Sequence, residues 1–221
     1  MNCNFTFAHY LEMLRLATSN GYDFLLASDL FEKSAPSPPF IVLGHDIDHN
    51  IDVNNIRQLM EVEREAGVRS TWYFRLHAKY NVLSFKTYEL IQLLLKSGHE
   101  VGIHFDTDFY GLFKSEHDEL KVDRDVAIFK HIIGSKPKVA NIHNKSGSAD
   151  GGEFSEALLK SFDIRCTDHT ILRKLGLKYL SDSSHAWREG CLCSWIEKGE
   201  PKMYVTIHPS WRHRRSSCEN Y

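Results

Sequence analysis

The stretch FIVLGHDID, residues 40–48, decides the fold of this chain. Its four apolar residues, 40–43, are typical of a strand buried on both faces, as in a parallel sheet. His45, Asp46 and Asp48 follow at once. Asp46 and Asp48 are two positions apart, so in extended backbone both carboxylates point the same way. Two like charges this close repel unless one binds a cation and the other is held as a base.

Strand and helix patterns alternate outward from this stretch. Val53 to Ala66 has a helical period, with Asp52 as its N-cap and Gly67 as its C-cap. We predict further strands at residues 70–75, 100–103, 138–142, 163–166, 178–181 and 203–207. Short turns join them to intervening helices, which predicts an α/β fold around a parallel sheet of about seven strands, either open or closed.

Composition excludes several classes of function. The 221 residues carry a formal charge of −2, which does not suggest a nucleic-acid partner. Neither GxGxxG nor GxxxxGK[ST] occurs, which argues against a dinucleotide or NTP enzyme. No apolar run could span a membrane, and we see no secretory signal, so a cytoplasmic location is expected. The sequence carries no signal for the oligomeric state.

Reactive side chains gather where predicted strands end. They are His45, Asp46, Asp48, His104, Asp106, Asp108, His143, Asp182 and His208. Active sites of parallel α/β folds are built at this edge of the sheet. Because unpartnered buried charge is very costly, a metal ion is the natural partner for so many carboxylates and imidazoles.

Several roles stay open on local pattern alone. We expect His104 to be a metal ligand, and either Asp106 or Asp108 could share the metal with it. His143 suits a buried structural histidine as well as a site residue. Trp187 could stack on a sugar or belong to the core. His208, just after a hydrophobic strand, can serve as a general acid.

The five cysteines, at positions 3, 166, 191, 193 and 218, suggest reduced thiols. We interpret Cys191 and Cys193 as two strand residues, because a metal role would need further Cys or His partners. The basic run at residues 212–215 is expected to be a solvated tail.

Six segments in order carry a resemblance. They are GHDID (44–48), STWYF (70–74), GHEVGIH (98–104), NIHN (141–144), YLSDSSHAWREG (179–190) and TIHPSW (206–211). Together they resemble the polysaccharide deacetylase superfamily (NodB-homology, carbohydrate esterase family 4-like), in its divergent HDxD branch associated with bacterial surface-polysaccharide genes. The resemblance implies one distorted (β/α)₇ barrel domain over residues 1–221, with a lead-in helix, strand and Pro-rich loop at 1–39, the barrel at 40–210 and a basic tail at 211–221.

The resemblance also implies one divalent metal, usually zinc, and hydrolysis of acetyl groups on sugars. When the roles of the family's motif residues are mapped onto this sequence, Asp46 is the base and Asp48 a metal ligand. His208 is the general acid, and Asp182 is the residue that orients it. The usual His-x-x-x-His motif reads His104 to Asp108 here, so its second histidine is missing.

The third metal ligand is therefore open. We prefer Asp106, because a loop leaving a strand is more often extended than helical; Asp108 and His143 are the alternatives. Oxygen-rich ligand sets suit manganese or another hard divalent ion better than a histidine-rich set does. Substrate contacts are assigned to His143, Asn144, Trp187 and Arg188.

The sequence thus predicts a metal-dependent hydrolase that deacetylates an acetylated sugar, a nucleotide sugar or a surface-polysaccharide intermediate. One alternative is a related C–N amide hydrolase with a small-molecule substrate. The other is a degenerate, non-catalytic sugar-binding or assembly module.

Overall fold

A computed structural model describes residues 3–32, 37–106, 109, 117–143 and 151–215. The helices are α1 (Phe7–Ser19), α2 (Val53–Ala66), α3 (Phe85–Lys96), α4 (His117–Ile133), α5 (Gly151–Ser161), α6 (His169–Lys174) and α7 (Leu192–Glu197). The strands are β1 (Asp23–Leu25), β2 (Phe40–Ile47), β3 (Thr71–Phe74), β4 (Glu100–Asp106), β5 (Val139–His143), β6 (Arg165–Cys166), β7 (Lys178–Ser181) and β8 (Lys202–Ile207).

Seven strands form one parallel sheet in the order β6-β5-β4-β3-β2-β8-β7. The short β1 pairs with the first half of β2, and β3 pairs with its second half. The sheet curls into a partial barrel with helices outside it, and no ladder among the described residues joins β6 to β7. The predicted distorted (β/α)₇ barrel is thereby confirmed.

Side chains of each strand alternate between the barrel interior and the helical layer. On β2, Phe40 and Val42 pack inside, whereas Ile41, Leu43 and Ile47 pack against the helices. All eight residues of β2 are buried, as expected for a central strand of a parallel sheet. The inward positions of the strands therefore form layers, and the last layer opens at the carboxyl end of the barrel.

Two tyrosines fill the barrel beneath this opening. The hydroxyls of Tyr73 and Tyr204 lie 2.9 Å apart. A Cβ at Gly44 would lie 2.7 Å from the Tyr204 hydroxyl oxygen, and one at Gly102 would lie 2.8 Å from Cε1 of Tyr73. Glycine is required at both positions because the rings cross directly over the backbone. The tyrosines thus form a packed floor below the polar layer.

A buried carboxylate ties the first helices to the sheet. Glu63 of α2 is fully buried and accepts hydrogen bonds from the Tyr10 hydroxyl at 2.5 Å, from His45 Nε2 at 2.6 Å and from the Ser70 hydroxyl at 2.6 Å. Burial opposes ionisation of Glu63, but the charges of His45 and His99 and the hydrogen bonds from His45 and Ser70 outweigh it and lower the pKa. His45 therefore faces the helices and not the barrel mouth.

The structure corrects three expectations. Cys191 and Cys193 lie at the start of α7 and not in a strand. Arg212 is fully buried and His213 is buried, so the basic run is not a solvated tail over these residues. Strand β4 runs to Asp106, three residues beyond its predicted end. None of the helices in the described ranges is long and apolar enough to cross a membrane.

We predict that Glu63→Ala destabilises the protein by about 3–5 kcal/mol, because it leaves His45 without its buried partner. Since the pKa of Glu63 is lowered in the folded state, its ionised contribution is present above the ordinary carboxyl pKa. That contribution is lost as pH falls through the lowered value. Urea unfolding at neutral pH measures the effect.

Glu61→Ala is the matched control, two residues away on the same helix. Glu61 pairs with Arg64 on the surface, where an ion pair contributes little. Its removal should leave the free energy of unfolding nearly unchanged. Equal losses in the two variants would contradict the role given to Glu63.

Candidate active site

Six strands place polar side chains at the mouth of the barrel. These are Asp46 and Asp48 at the end of β2, Arg75 after β3, His104 and Asp106 on β4, Asn141 and His143 on β5, Tyr179 on β7 and His208 after β8. The pairing register aligns them, because His104 lies opposite Asn141 and Asp106 opposite His143. Parallel strands in register bring their inward residues to one level, so side chains far apart in sequence meet here.

Three imidazoles surround the carboxylate of Asp48. His104 Nε2 lies 3.1 Å from Oδ1, His143 Nε2 lies 3.8 Å from Oδ1, and His208 Nε2 lies 3.5 Å from Oδ2. Burial opposes ionisation of Asp48, but the hydrogen bond and charge of His104, with the charges of His208 and His143, hold its pKa well below the usual range. Asp48 is the centre of the cluster.

Donor atoms that share one metal ion must lie at a characteristic distance from one another. Bonds of roughly 2.0–2.2 Å put neighbouring oxygen and nitrogen donors of a tetrahedral zinc roughly 3.3–3.6 Å apart. The distances from Asp48 to His104 and His143 bracket this value. The two imidazole rings stand at 85° with centroids 5.3 Å apart. Burial and the charge of His104 lower the pKa of His143 to about 4, so it is neutral and able to bind a metal. Asp48 and each of the two imidazoles are therefore spaced to share a divalent ion.

Asp46 lies below this cluster and is held by an amide. Nδ2 of Asn141 donates to both carboxylate oxygens at 3.1 Å. The side-chain oxygen of Asn141 accepts the Ile142 amide at 2.7 Å, which fixes the orientation of the amide group. Burial raises the pKa of Asp46, against the charges of His104 and His208. Asp46 is thus a positioned carboxylate whose affinity for a proton is increased.

His208 is held by a buried carboxylate and arginine. Its Nδ1 lies 2.7 Å from Asp182 Oδ1, and its backbone amide donates to the same oxygen at 2.9 Å. Arg212 donates to Asp182 Oδ2 at 2.6 Å. Burial alone would lower the pKa of His208, but the hydrogen bond and charge of Asp182, with Asp48 and Asp46, raise it to about 9. Its Nε2 therefore faces the mouth and carries a proton at neutral pH.

Arg75 was missed in the sequence and changes the assignment of Asp106. The Arg75 guanidinium forms a buried ion pair with the Asp106 carboxylate. The same group donates to the backbone oxygen of Asp48 at 2.7 Å and lies 3.5 Å from His143 Nε2. With its charge offset by Arg75, Asp106 is a weaker candidate ligand than His143. The preference for Asp106 drawn from the sequence is therefore reversed in the proposal below.

Arg212 was also missed, because its partner Asp182 lies 30 residues earlier and only the fold joins them. The one feature of the sequence that could have indicated it is that a buried Asp182 needs a cation as its partner.

Trp187 is half-buried, stacks on Phe5 with ring centroids 6.3 Å apart, and has the Arg212 guanidinium 5.7 Å from its ring. Arg188 is exposed. The predicted residues Asp108 and Asn144 lie outside the described residues.

Trp211 is an aromatic residue near the mouth that has no assigned role in the sequence analysis. Its ring stacks on His185 with centroids 5.4 Å apart and lies 6.5 Å from the His208 ring. The segment TIHPSW thus places an indole beside the histidine that faces the mouth.

Comparison with known proteins gives structural matches alone. Neither a family model nor a curated protein sequence matches the chain. A chitin deacetylase from the fungal pathogen Colletotrichum lindemuthianum superposes with a TM-score of 0.54 at 15% identity, covering 90% of this chain and 83% of that one. IcaB from Ammonifex degensii gives a TM-score of 0.53 at 17% identity, covering 72% and 73%.

A mutant of a carbohydrate esterase family 4 pseudoenzyme, whose wild type comes from Bacillus anthracis, is a third similar structure. It gives a TM-score of 0.52 at 14% identity and covers 76% of this chain and 56% of that one. At these identities the likeness shows the fold. The chain therefore shares the deacetylase-type barrel that its sequence predicted.

We predict that Asp182→Asn lowers the pKa of His208 from about 9. The shift should be about 1–3 units, because the variant removes the negative charge and keeps the side-chain shape. NMR titration of the histidine ring signals in chelator-treated protein measures it.

Asp168→Asn is the control, since Asp168 is a buried carboxylate that caps α6 and asparagine caps a helix equally well. It should leave the His208 titration in place. An unchanged His208 pKa in Asp182→Asn would show that the pair does not set its protonation.

Proposed function

We propose that this protein is a metal-dependent hydrolase that removes acetyl groups from a sugar substrate. The observation that carries the proposal is the convergence of two differently held groups on the Asp48–His104 pair. Asp46, fixed by Asn141, lies 3.9 Å from His104, and His208, fixed by Asp182, lies 3.5 Å from Asp48. A carboxylate of raised pKa and an imidazole that keeps its proton are the base and acid that acyl transfer needs.

Asp48, His104 and His143 would hold the metal. One carboxylate and two imidazoles are a donor set suited to zinc. In this set His143 takes the place of the second histidine that the His-x-x-x-His motif lacks here. When bound, a divalent ion supplies a Lewis acid that polarises an acetyl carbonyl and acidifies water. Arg75 donates hydrogen bonds to the backbone oxygen of Asp48 and to the carboxylate of Asp106, and so fixes the backbone that carries the ligand Asp48.

The two proton-transfer groups have separate tasks. Asp46 accepts a proton from the attacking water, with Asn141 keeping both carboxylate oxygens in place. His208 donates the proton on Nε2 to the leaving amine or alkoxide, because its Nδ1 is engaged by Asp182. The raised pKa of His208 keeps this proton available at neutral pH. Arg212 keeps Asp182 ionised by pairing with its second oxygen.

The substrate class proposed is an acetylated sugar, a nucleotide sugar or a surface-polysaccharide intermediate. The chitin deacetylase with the same fold supports a carbohydrate substrate. Because a pseudoenzyme has the same fold, a non-catalytic sugar-binding module is the second candidate function. Trp211 beside His208, and not Trp187, is the aromatic surface that we assign to sugar stacking.

We predict that His143→Ala weakens zinc binding at the mouth more than Asp106→Asn does. Loss of a residue that only supports a ligand typically costs about 10–100-fold in metal affinity, so loss of a ligand should cost at least that. Zinc displacement of Mn²⁺, followed by EPR, measures the affinity, since manganese prefers oxygen and nitrogen donors to thiolates. A larger loss in Asp106→Asn would return the third ligand to Asp106.

We predict that Asp46→Asn lowers acetate release by at least about 100-fold, because it removes the group that accepts the proton. Manganese and zinc binding and the urea midpoint should stay near the wild-type values. The assay measures acetate released from a panel of acetylated nucleotide sugars and glycans, with exposed Asp163→Asn as the control.

The panel also separates the candidates. Retained acetate release in Asp46→Asn would overturn the role of Asp46. Release of a different acid or of ammonia from small amides, without acetate release, would point to an amide hydrolase. Glycan binding by a wild-type protein that holds no metal at the mouth and turns nothing over would point to a binding module.

A further inference from the structure

A second cluster of metal-binding side chains lies where the start of α1 meets α7. Cys3, His9, Cys191 and Cys193 each place one donor atom within 4.8 Å of the others. Cys3 Sγ lies 3.2 Å from Cys193 Sγ, and His9 Nε2 lies 3.4 Å from Cys191 Sγ. His9, Cys191 and Cys193 are buried, whereas Cys3 is exposed. These residues take no part in the site at the barrel mouth.

The donors have the composition and spacing of a closed zinc site. Three thiolates and one imidazole are a standard structural set, with Zn–S bonds of about 2.3 Å and Zn–N bonds of about 2.0–2.1 Å. Tetrahedral geometry then places the donors roughly 3.5–3.8 Å apart. The Cys3–Cys193 and His9–Cys191 pairs lie below this range, and all the donor pairs lie within 4.8 Å. The sulfur separation of 3.2 Å also exceeds a disulfide bond of about 2.05 Å.

Glu12 supplies an independent observation. Its Oε2 lies 3.2 Å from His9 Nδ1, one helical turn along α1. A histidine that binds a metal through one ring nitrogen commonly donates the other N–H to a carboxylate, which fixes the tautomer and the ring orientation. This contact leaves His9 Nε2 as an acceptor directed at Cys191. The histidine is therefore oriented as a ligand before any ion is bound.

We propose that Cys3, His9, Cys191 and Cys193 bind one structural zinc ion. Binding takes the protons from the three thiols and releases them to solvent, so that three thiolates and one neutral imidazole hold the ion. All four positions are filled by protein, which leaves none for substrate. The site is structural and independent of the function proposed for the mouth.

The site would fasten the N-terminal segment to the far end of the chain. Residues 3 and 9 flank Phe5, whose ring lies 5.3 Å from the Arg212 guanidinium. The carbonyl oxygen of Phe5 also accepts a hydrogen bond from the His213 amide at 3.2 Å. Zinc would thus hold Phe5 over Arg212, the residue that pairs with Asp182. The expected effect is on stability, with the mouth intact.

Cobalt titration of the reduced, metal-free full chain tests the proposal. Cobalt bound by thiolates gives a sulfur-to-metal charge-transfer absorption, which oxygen and nitrogen ligands at the mouth cannot give. We expect this absorption to saturate at one equivalent in the wild type and in His104→Ala, and zinc to abolish it. Cys191→Ser and Cys193→Ser should lose it.

Because the serine variants could fail to fold, Glu12→Gln provides a second measurement. Glu12 is exposed, so its replacement should not disturb folding, and it should weaken zinc binding by about 10–100-fold. Zinc should also raise the unfolding midpoint of the wild type and raise it less in Glu12→Gln at the same zinc concentration. Absence of the thiolate absorption in folded, reduced wild type, or a Cys3–Cys193 disulfide that persists under reducing conditions, would overturn the proposal.

Discussion

The strict alternation of side chains along β2 governs the structure. This strand is buried on both faces, so every second residue must suit the barrel interior and the others must suit the helical layer. Gly44 leaves room for Tyr204, and the next inward positions are Asp46 and Asp48. His45, between them, faces Glu63 in the helical layer. A shift of one residue would exchange these environments and place His45 in the mouth.

Buried charge at the mouth is tolerated because each carboxylate has its own partner. Asp106 pairs with Arg75, Asp182 pairs with Arg212, and Asp46 is held by Asn141. Asp48 is surrounded by three titratable imidazoles. A buried ion of one sign without a partner would cost far more than the fold could offset. Arg75 and Arg212 therefore decide which carboxylates are used: they pair with Asp106 and Asp182, and Asp48 is the carboxylate that we propose for the metal.

Much of this arrangement follows from local pattern in the sequence. Strand β2, the helix capped by Asp52 and the gathering of reactive residues at strand ends were all predictable, because each depends on near neighbours. The partners Arg75 and Arg212 were not, since nothing near them in sequence shows which carboxylate they meet. The environment of Cys191 and Cys193 was missed for the same reason, as Cys3 and His9 lie more than 180 residues away in the chain. Contacts of this length are set by topology alone.

The most direct test of the central claim is a crystal structure of the zinc-loaded protein, with anomalous scattering collected on both sides of the zinc absorption edge. We predict a peak at the barrel mouth within about 2.0–2.2 Å of Asp48, His104 and His143. A separate peak among the four cysteine and histidine donors would report the second site. The absence of any peak at the mouth, or a peak bonded to Asp106 with His143 turned away, would contradict the account.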